Sequence, residues 1–278
     1  IIILFHTKEK MDFIMNRMNE TISPKPRKKS INQLVETLGE KLFHGKKVAF
    51  FGICGGQASG KTQIAHYFKK NIPESTIIAE RDFFKMTKQG RKLSTGDQPM
   101  VGEVNKWETE RQNYLIQLSN PESYDYDKLI QCLDQLAKGE KITFDSFDEK
   151  SQEIKQKTVD PKKTNVILVE GYFIFSNQKL RDLFDLKFYT KVDDDVRFTR
   201  LILRENKIMN NDAKAIQAFC LIYQKYIKPS FSSNIEVEEK YANLVLPNYE
   251  INDKEEIEKT DDIMEFLLVG LKTLNKNH

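Results

Sequence analysis

The sequence predicts an α/β fold, a mostly parallel sheet flanked by helices, on three observations. Short, almost wholly apolar runs recur along the chain, and segments with apolar residues three and four apart lie between them. The first run, VAFFGIC at residues 48–54, leads through a glycine-rich turn into a helix-forming segment. Near-continuous apolarity suits a strand covered on both faces, and strands alternating with helices build parallel sheets.

The elements follow in order. Residues 1–30 end in TISPKPRKKS, whose prolines and basic cluster read as an arm or linker. INQLVETLGEKLF, residues 31–43, has the apolar spacing of a short helix, and VAFFGIC is the first core strand. TQIAHYFKK continues the glycine-rich turn as a helix. STIIAE, residues 75–80, and NVILVEGYFIF, residues 165–175, read as core strands, with LKFYTKV and ANLVLPN as later ones. YDYDKLIQCLDQLAKG and DDDVRFTRLILRENK carry helical periodicity. KITFDSFDEKSQEIKQKTV, residues 141–159, alternates less regularly and reads as a small antiparallel hairpin standing off the sheet. No internal repeat is evident.

Composition narrows the function classes. The chain has 278 residues, 39% hydrophobic and 31% charged, enough to bury a sizeable core. Its 44 basic and 41 acidic side chains balance too closely to indicate nucleic acid, for which only KPRKK, residues 25–29, argues. Cys54, Cys132 and Cys220 are scattered without metal-ligand spacing, which suits a reducing compartment. The opening IIILF is too short to span a bilayer, so a cytoplasmic location without a membrane span is expected, with attachment to an intracellular assembly as a variant.

The chemistry begins at GICGGQASGKTQ, residues 52–63. Gly55, Gly60, Lys61 and Thr62 satisfy G-x-x-x-x-G-K-[ST] between a strand and a helix, the phosphate loop of the P-loop NTPase fold. Small residues at Gly55, Gly56, Ala58, Ser59 and Gly60 let successive amides approach a phosphate chain, and Lys61 brings its ammonium among the phosphates. Thr62 can offer its hydroxyl to magnesium. Glu170, leaving the strand VILVEG, stands where metal and phosphates sit in open α/β sheets, and Gly171 lets the chain turn beside it. ATP and magnesium are the expected cofactors.

These motifs, with NPESYDYDKLIQCLDQLAKGE, RDLFDLKFYTKVDDDVRFTRLILRE, YIKPSF and KYANLVLPN in that order, resemble the uridine-cytidine kinase family of the phosphoribulokinase and uridine kinase superfamily. The likeness runs from about residue 46 to residue 250. It implies a uridine-kinase-like domain over residues 31–250 with a hairpin and a lid, preceded by the arm and followed by a helical tail over 251–278. It also implies transfer of the terminal phosphate of ATP to the 5′-hydroxyl of a nucleoside or similar small hydroxyl compound, and oligomer formation with the hairpin as contact surface.

The acceptor half departs from the resemblance. Registering FFK, residues 83–85, on the family's D-x-F-Y-K puts Arg81 at the catalytic aspartate. Arginine cannot accept a proton, which leaves the neighbouring Asp82, or Glu122, as the acceptor's carboxylate. Ser119 matches an aspartate that holds the nucleoside, Phe147 matches a tyrosine, and Gln152 matches a histidine that reads the base. In the lid, Arg197, Arg200 and Arg204 share one helix face, where they either reach phosphate charge or pair with the acids at 193–195. Leu201 and Met209–Asn211 replace further family arginines. Two functions follow: a kinase using Asp82, Lys61 and Arg204 in catalysis and Arg200 on the nucleotide, or a catalytically impaired, kinase-like module within a larger assembly.

Overall fold

The computed structural model describes residues 48–72, 74–85, 106–148 and 153–247, and Lys47–Leu246 form one compact unit. The arm, the helix at 31–43, Gln152 and the tail after residue 250 lie outside the described residues.

Five strands form the main sheet in the order β2-β5-β1-β6-β7: β1 (Ala49–Gly55), β2 (Ser75–Ala79), β5 (Val166–Gly171), β6 (Leu186–Lys191) and β7 (Leu244–Pro247). β1 pairs in parallel with β5 and β6, and β2 pairs in parallel with β5. Every β1 residue is buried, as its unbroken apolar run predicts. The register sets Ala79 opposite Glu170 and Cys54 opposite Gly171, so the ends of β2, β5 and β1 meet at one edge of the sheet.

Helices α1 (Lys61–Asn71), α2 (Lys106–Leu118), α3 (Tyr126–Ala137), α4 (Gln178–Leu183), α5 (Asp194–Met209) and α6 (Ala213–Ile222) fill the connections. α3 buries Leu129, Leu133 and Leu136 on one stripe, and the Asp125 carboxylate caps it by accepting from the Lys128 amide at 3.0 Å. Phe51, Phe68 and Phe188 interlock between the sheet and α1, with ring centroids 5.0–6.4 Å apart. After α6 the chain coils irregularly through π-helical and 3-10 turns to Tyr241.

The hairpin forms as expected: β3 (Ile142–Asp148) and β4 (Glu153–Val159) pair antiparallel in their own two-stranded sheet. The strand expected over 165–175 ends at Gly171. The Glu80 carboxylate accepts from the amides of Tyr172 at 2.6 Å and Phe173 at 3.1 Å, which takes those donors from the ladder and turns the chain. A Cβ on Gly171 would lie 2.6 Å from that of Glu80, so only glycine fits there.

Candidate active site

The glycine-rich segment joins β1 to α1 as a curved loop. Gly60 caps α1 with φ 87°, and Ala58 has φ 59°. Among the described residues this N-terminus has no side-chain cap, so its amides stay available to an anion. The Ser59 hydroxyl lies 2.5 Å from that of Thr190 on β6, which fixes the loop to the sheet.

Lys61 is buried. Its ammonium donates to the Gly56 carbonyl at 2.8 Å and sits 4.1 Å above the Tyr172 ring. Burial pushes the ammonium down to about 8, against the opposing pull of Glu170, Cys54 and Glu80. Thr62 donates to Glu170 at 3.1 Å, so the two residues expected at magnesium touch each other. Among the described residues no three His, Cys, Asp or Glu side chains form a preformed metal cage. A hydroxyl and a carboxylate beside an amide cradle nevertheless fit magnesium, which takes one or two protein oxygens and completes its shell with phosphate and water.

The three arginines of α5 separate. Arg197 is buried against Gly56: a Cβ there would meet its Nη1 at 2.5 Å. Its guanidinium stacks 3.5 Å from the Phe231 centroid, and its Nη2 bonds Asp194. Its Nε and Nη1 have no hydrogen-bond partner among the described residues. Arg200 donates to the Ala58 carbonyl at 3.3 Å. Arg204 is half-exposed and turns to Glu205 at 3.2 Å, beside the fork in which Arg111 of α2 holds Glu205 through two 2.8 Å bonds. Met209–Asn211 close the end of α5, with Asn210 and Asn211 in the left-handed region.

On the acceptor side Asp82 faces the hairpin. Its carboxylate accepts from the Ala79 amide at 3.2 Å, Ser146 at 2.6 Å and Lys157 at 3.4 Å. Arg81 is exposed and engaged, and Glu122 is exposed, its carbonyl accepting from Lys85. Phe147 lies opposite Ile154 in the hairpin. Ser119, at the end of α2, is buried; it donates to the Leu115 carbonyl and accepts from the Gln57 amide, both at 3.0 Å.

Three residues here escaped the motif reading. Glu80 leaves β2 as Glu170 leaves β5, so the reasoning applied to VILVEG, extended to STIIAE, would have found it. It also accepts from Tyr126 at 2.8 Å, and burial raises it to about 7 against those donors. Gln57 is an unconstrained position of the loop motif. Glu238 sits within EVEEK, which reads as surface, yet it is buried; it accepts from Cys54 and the Phe175 amide, and burial raises it to about 8.

Residues 50–255 match the model of the Phosphoribulokinase / Uridine kinase family. A uridine kinase of Clostridium novyi (strain NT) is 32% identical over 197 residues, covering 70% of this chain and 85% of its own. A uridine kinase of Staphylococcus aureus (strain JH9) is 30% identical over 203 residues, covering 73% and 88%. In fold, a fructose transport system kinase candidate from Silicibacter sp. TM1040 superposes with TM-score 0.53 at 17% identity, over 79% of this chain and all of the other. Among the described residues no helix is long and apolar enough to cross a membrane.

Proposed function

The chain belongs to the phosphoribulokinase / uridine kinase family of P-loop kinases, and from that premise we propose that it transfers the terminal phosphate of ATP to a hydroxyl of a small acceptor. The names of its relatives make nucleosides the first acceptors to try. The observation that carries the proposal is the Lys61 ammonium held inside a loop of open amides, with Thr62 and Glu170 in contact beside it.

In this reading the acceptor oxygen bonds to the γ-phosphorus of ATP as the bond from that phosphorus to the β,γ-bridging oxygen breaks. ADP leaves with the bridging electron pair, and the hydroxyl proton passes to solvent. Such transfer needs positioning and charge stabilisation more than covalent help. The loop amides from Gly55 to Thr62 hold the phosphates, and Lys61 and Arg200 spread the negative charge. Magnesium, when bound, would neutralise phosphate oxygens, and Thr62 and Glu170 would hold it. Glu80 seats the Tyr172 ring under Lys61 by gripping the Tyr172 amide. Asp82 orients the hairpin against the turn after β2.

The test is a titration of the full chain with ATP and magnesium, followed by ADP release across neutral and charged hydroxyl compounds, with Lys61→Ala as control. Turnover that vanishes in the control is expected. Tight ATP binding with no transfer to any acceptor would overturn the proposal in favour of a nucleotide-binding assembly module.

A further inference from the structure

We propose that Arg111 is a positioning residue for the nucleotide phosphates: by taking both oxygens of the buried Glu205, it leaves Arg204 free to turn to them; this rests on the ATP-binding part of the reading above. Glu205 lies on α5 with its side chain 2% exposed, so its charge requires a partner. Two guanidinium groups compete for it. Arg111, on α2, meets it end to end, Nε on Oε2 and Nη2 on Oε1 at 2.8 Å each, the strong paired geometry of arginine with carboxylate. Tyr114, one turn along α2, has its ring centroid 5.1 Å from the Arg111 guanidinium carbon and keeps that group aimed. Arg204 has only Nε on Oε1 at 3.2 Å, an oxygen that Arg111 already engages.

The weaker of the two contacts is the one that can be given up. Arg204 and Glu205 are chain neighbours, and neighbours on a helix point about 100° apart, so Arg204 reaches sideways for its bond. Its side chain is 47% exposed, against 24% for that of Arg111. A single exposed contact of this kind is worth little, and a polyphosphate offers more negative charge than one shared carboxylate oxygen. α5 also advances along the phosphate loop. Arg197 packs on Gly56, Arg200 donates to the Ala58 carbonyl at 3.3 Å, and Arg204 follows four residues on, about 6 Å further along the axis and on the same face. Without Arg111 the balance reverses. Glu205 stays buried with Arg204 as its remaining cation among the described residues, and stranding a buried carboxylate is costly, so Arg204 is held back from the phosphates.

Calorimetric titration of the full chain with ATP and magnesium tests this without an acceptor. Arg111→Met is expected to weaken ATP binding about tenfold, and Arg204→Met by about the same factor, with no further loss when the two are combined. Glu205→Gln breaks the paired grip as surely as Arg111→Met does, yet a neutral amide cannot detain Arg204. Glu205→Gln, alone or together with Arg111→Met, should therefore bind ATP within about threefold of wild type. Arg111→Lys keeps a charge at the buried pair and loses the second bond, so it should lie between, and it carries the test where methionine prevents folding. Phenylglyoxal, which caps exposed guanidinium groups, reads the side chain directly: ATP should shield Arg204 in wild type and change its labelling little in Arg111→Met. A double variant as weak as Arg111→Met would make the pair a mere strut and overturn this inference, as would wild-type affinity in Arg111→Met or equal labelling of Arg204 with and without ATP; all three leave the kinase standing. Binding that follows this pattern with no transfer to any acceptor would overturn the kinase reading alone. Failure of the wild-type chain to bind ATP would overturn both.

Discussion

The Cys54 thiol donates a 3.0 Å hydrogen bond to the Glu238 carboxylate in the buried space behind the phosphate loop. Glu238 also accepts from the Phe175 amide, while its Oε1 has no hydrogen-bond partner among the described residues. Burial therefore holds its proton to about pH 8, far above an unfolded glutamate.

That proton makes stability depend on pH. Between an unfolded value near 4.5 and the folded value of about 8, the native state binds the extra proton, so the contribution is full at low pH and lost as pH rises through 8. Glutamine keeps the shape without the charge. Glu238→Gln is expected to stabilise the protein at pH 8 by about 1–4 kcal/mol relative to wild type and to leave it unchanged near pH 4. Urea unfolding at both values measures the difference; equal gaps between the two proteins at both would refute the assignment.

Lys61 supplies a second pH signature. Its ammonium titrates at about 8 because it is buried, so ATP affinity should decline as pH climbs past that value. The decline approaches tenfold per pH unit if the charged form alone binds. Lys61→Met should bind ATP more weakly by about two to three orders of magnitude with a flat profile over the same range. A wild-type profile just as flat would remove the ammonium from phosphate binding.

Gly56→Ala pushes a methyl group into Arg197 at 2.5 Å and the Phe231 ring at 2.8 Å. A loss of about 1–3 kcal/mol in stability and a severe loss of turnover are expected, since neither a stacked guanidinium nor a packed ring can retreat far. Calorimetric Tm and ADP release read the two effects. Wild-type values for both would mean that the arginine does not pack on the loop.

Asp82→Asn separates two uses of one carboxylate. Held by Ala79, Ser146 and Lys157, it should act through the hairpin, so the variant is expected to lower Tm, raise the acceptor KM a few-fold and hold kcat within about threefold. A thousandfold fall in kcat at unchanged Tm would instead place it at the reacting hydroxyl.

Local signals carried the donor half. The unbroken apolarity of VAFFGIC, the glycines and lysine after it, and an acid closing VILVEG are each readable within a few residues, and the structure sets β1, the loop and Glu170 beside one another. Other buried polar residues depend on distant partners. Gln57 is held in place by Ser119, 62 positions on, and Glu238 is buried against Cys54, 184 positions away. Glu80 was half legible: its place at a strand exit is local, its grip on Tyr172 is not.

The fork between Arg111 and Glu205 has a mechanical meaning. It ties α2, which leads into Ser119, to α5, which carries Arg197 and Arg200, so the two helices are pinned to each other by a paired guanidinium and carboxylate. Cutting the fork therefore frees the helix that carries the loop-facing arginines from the helix that leads into Ser119.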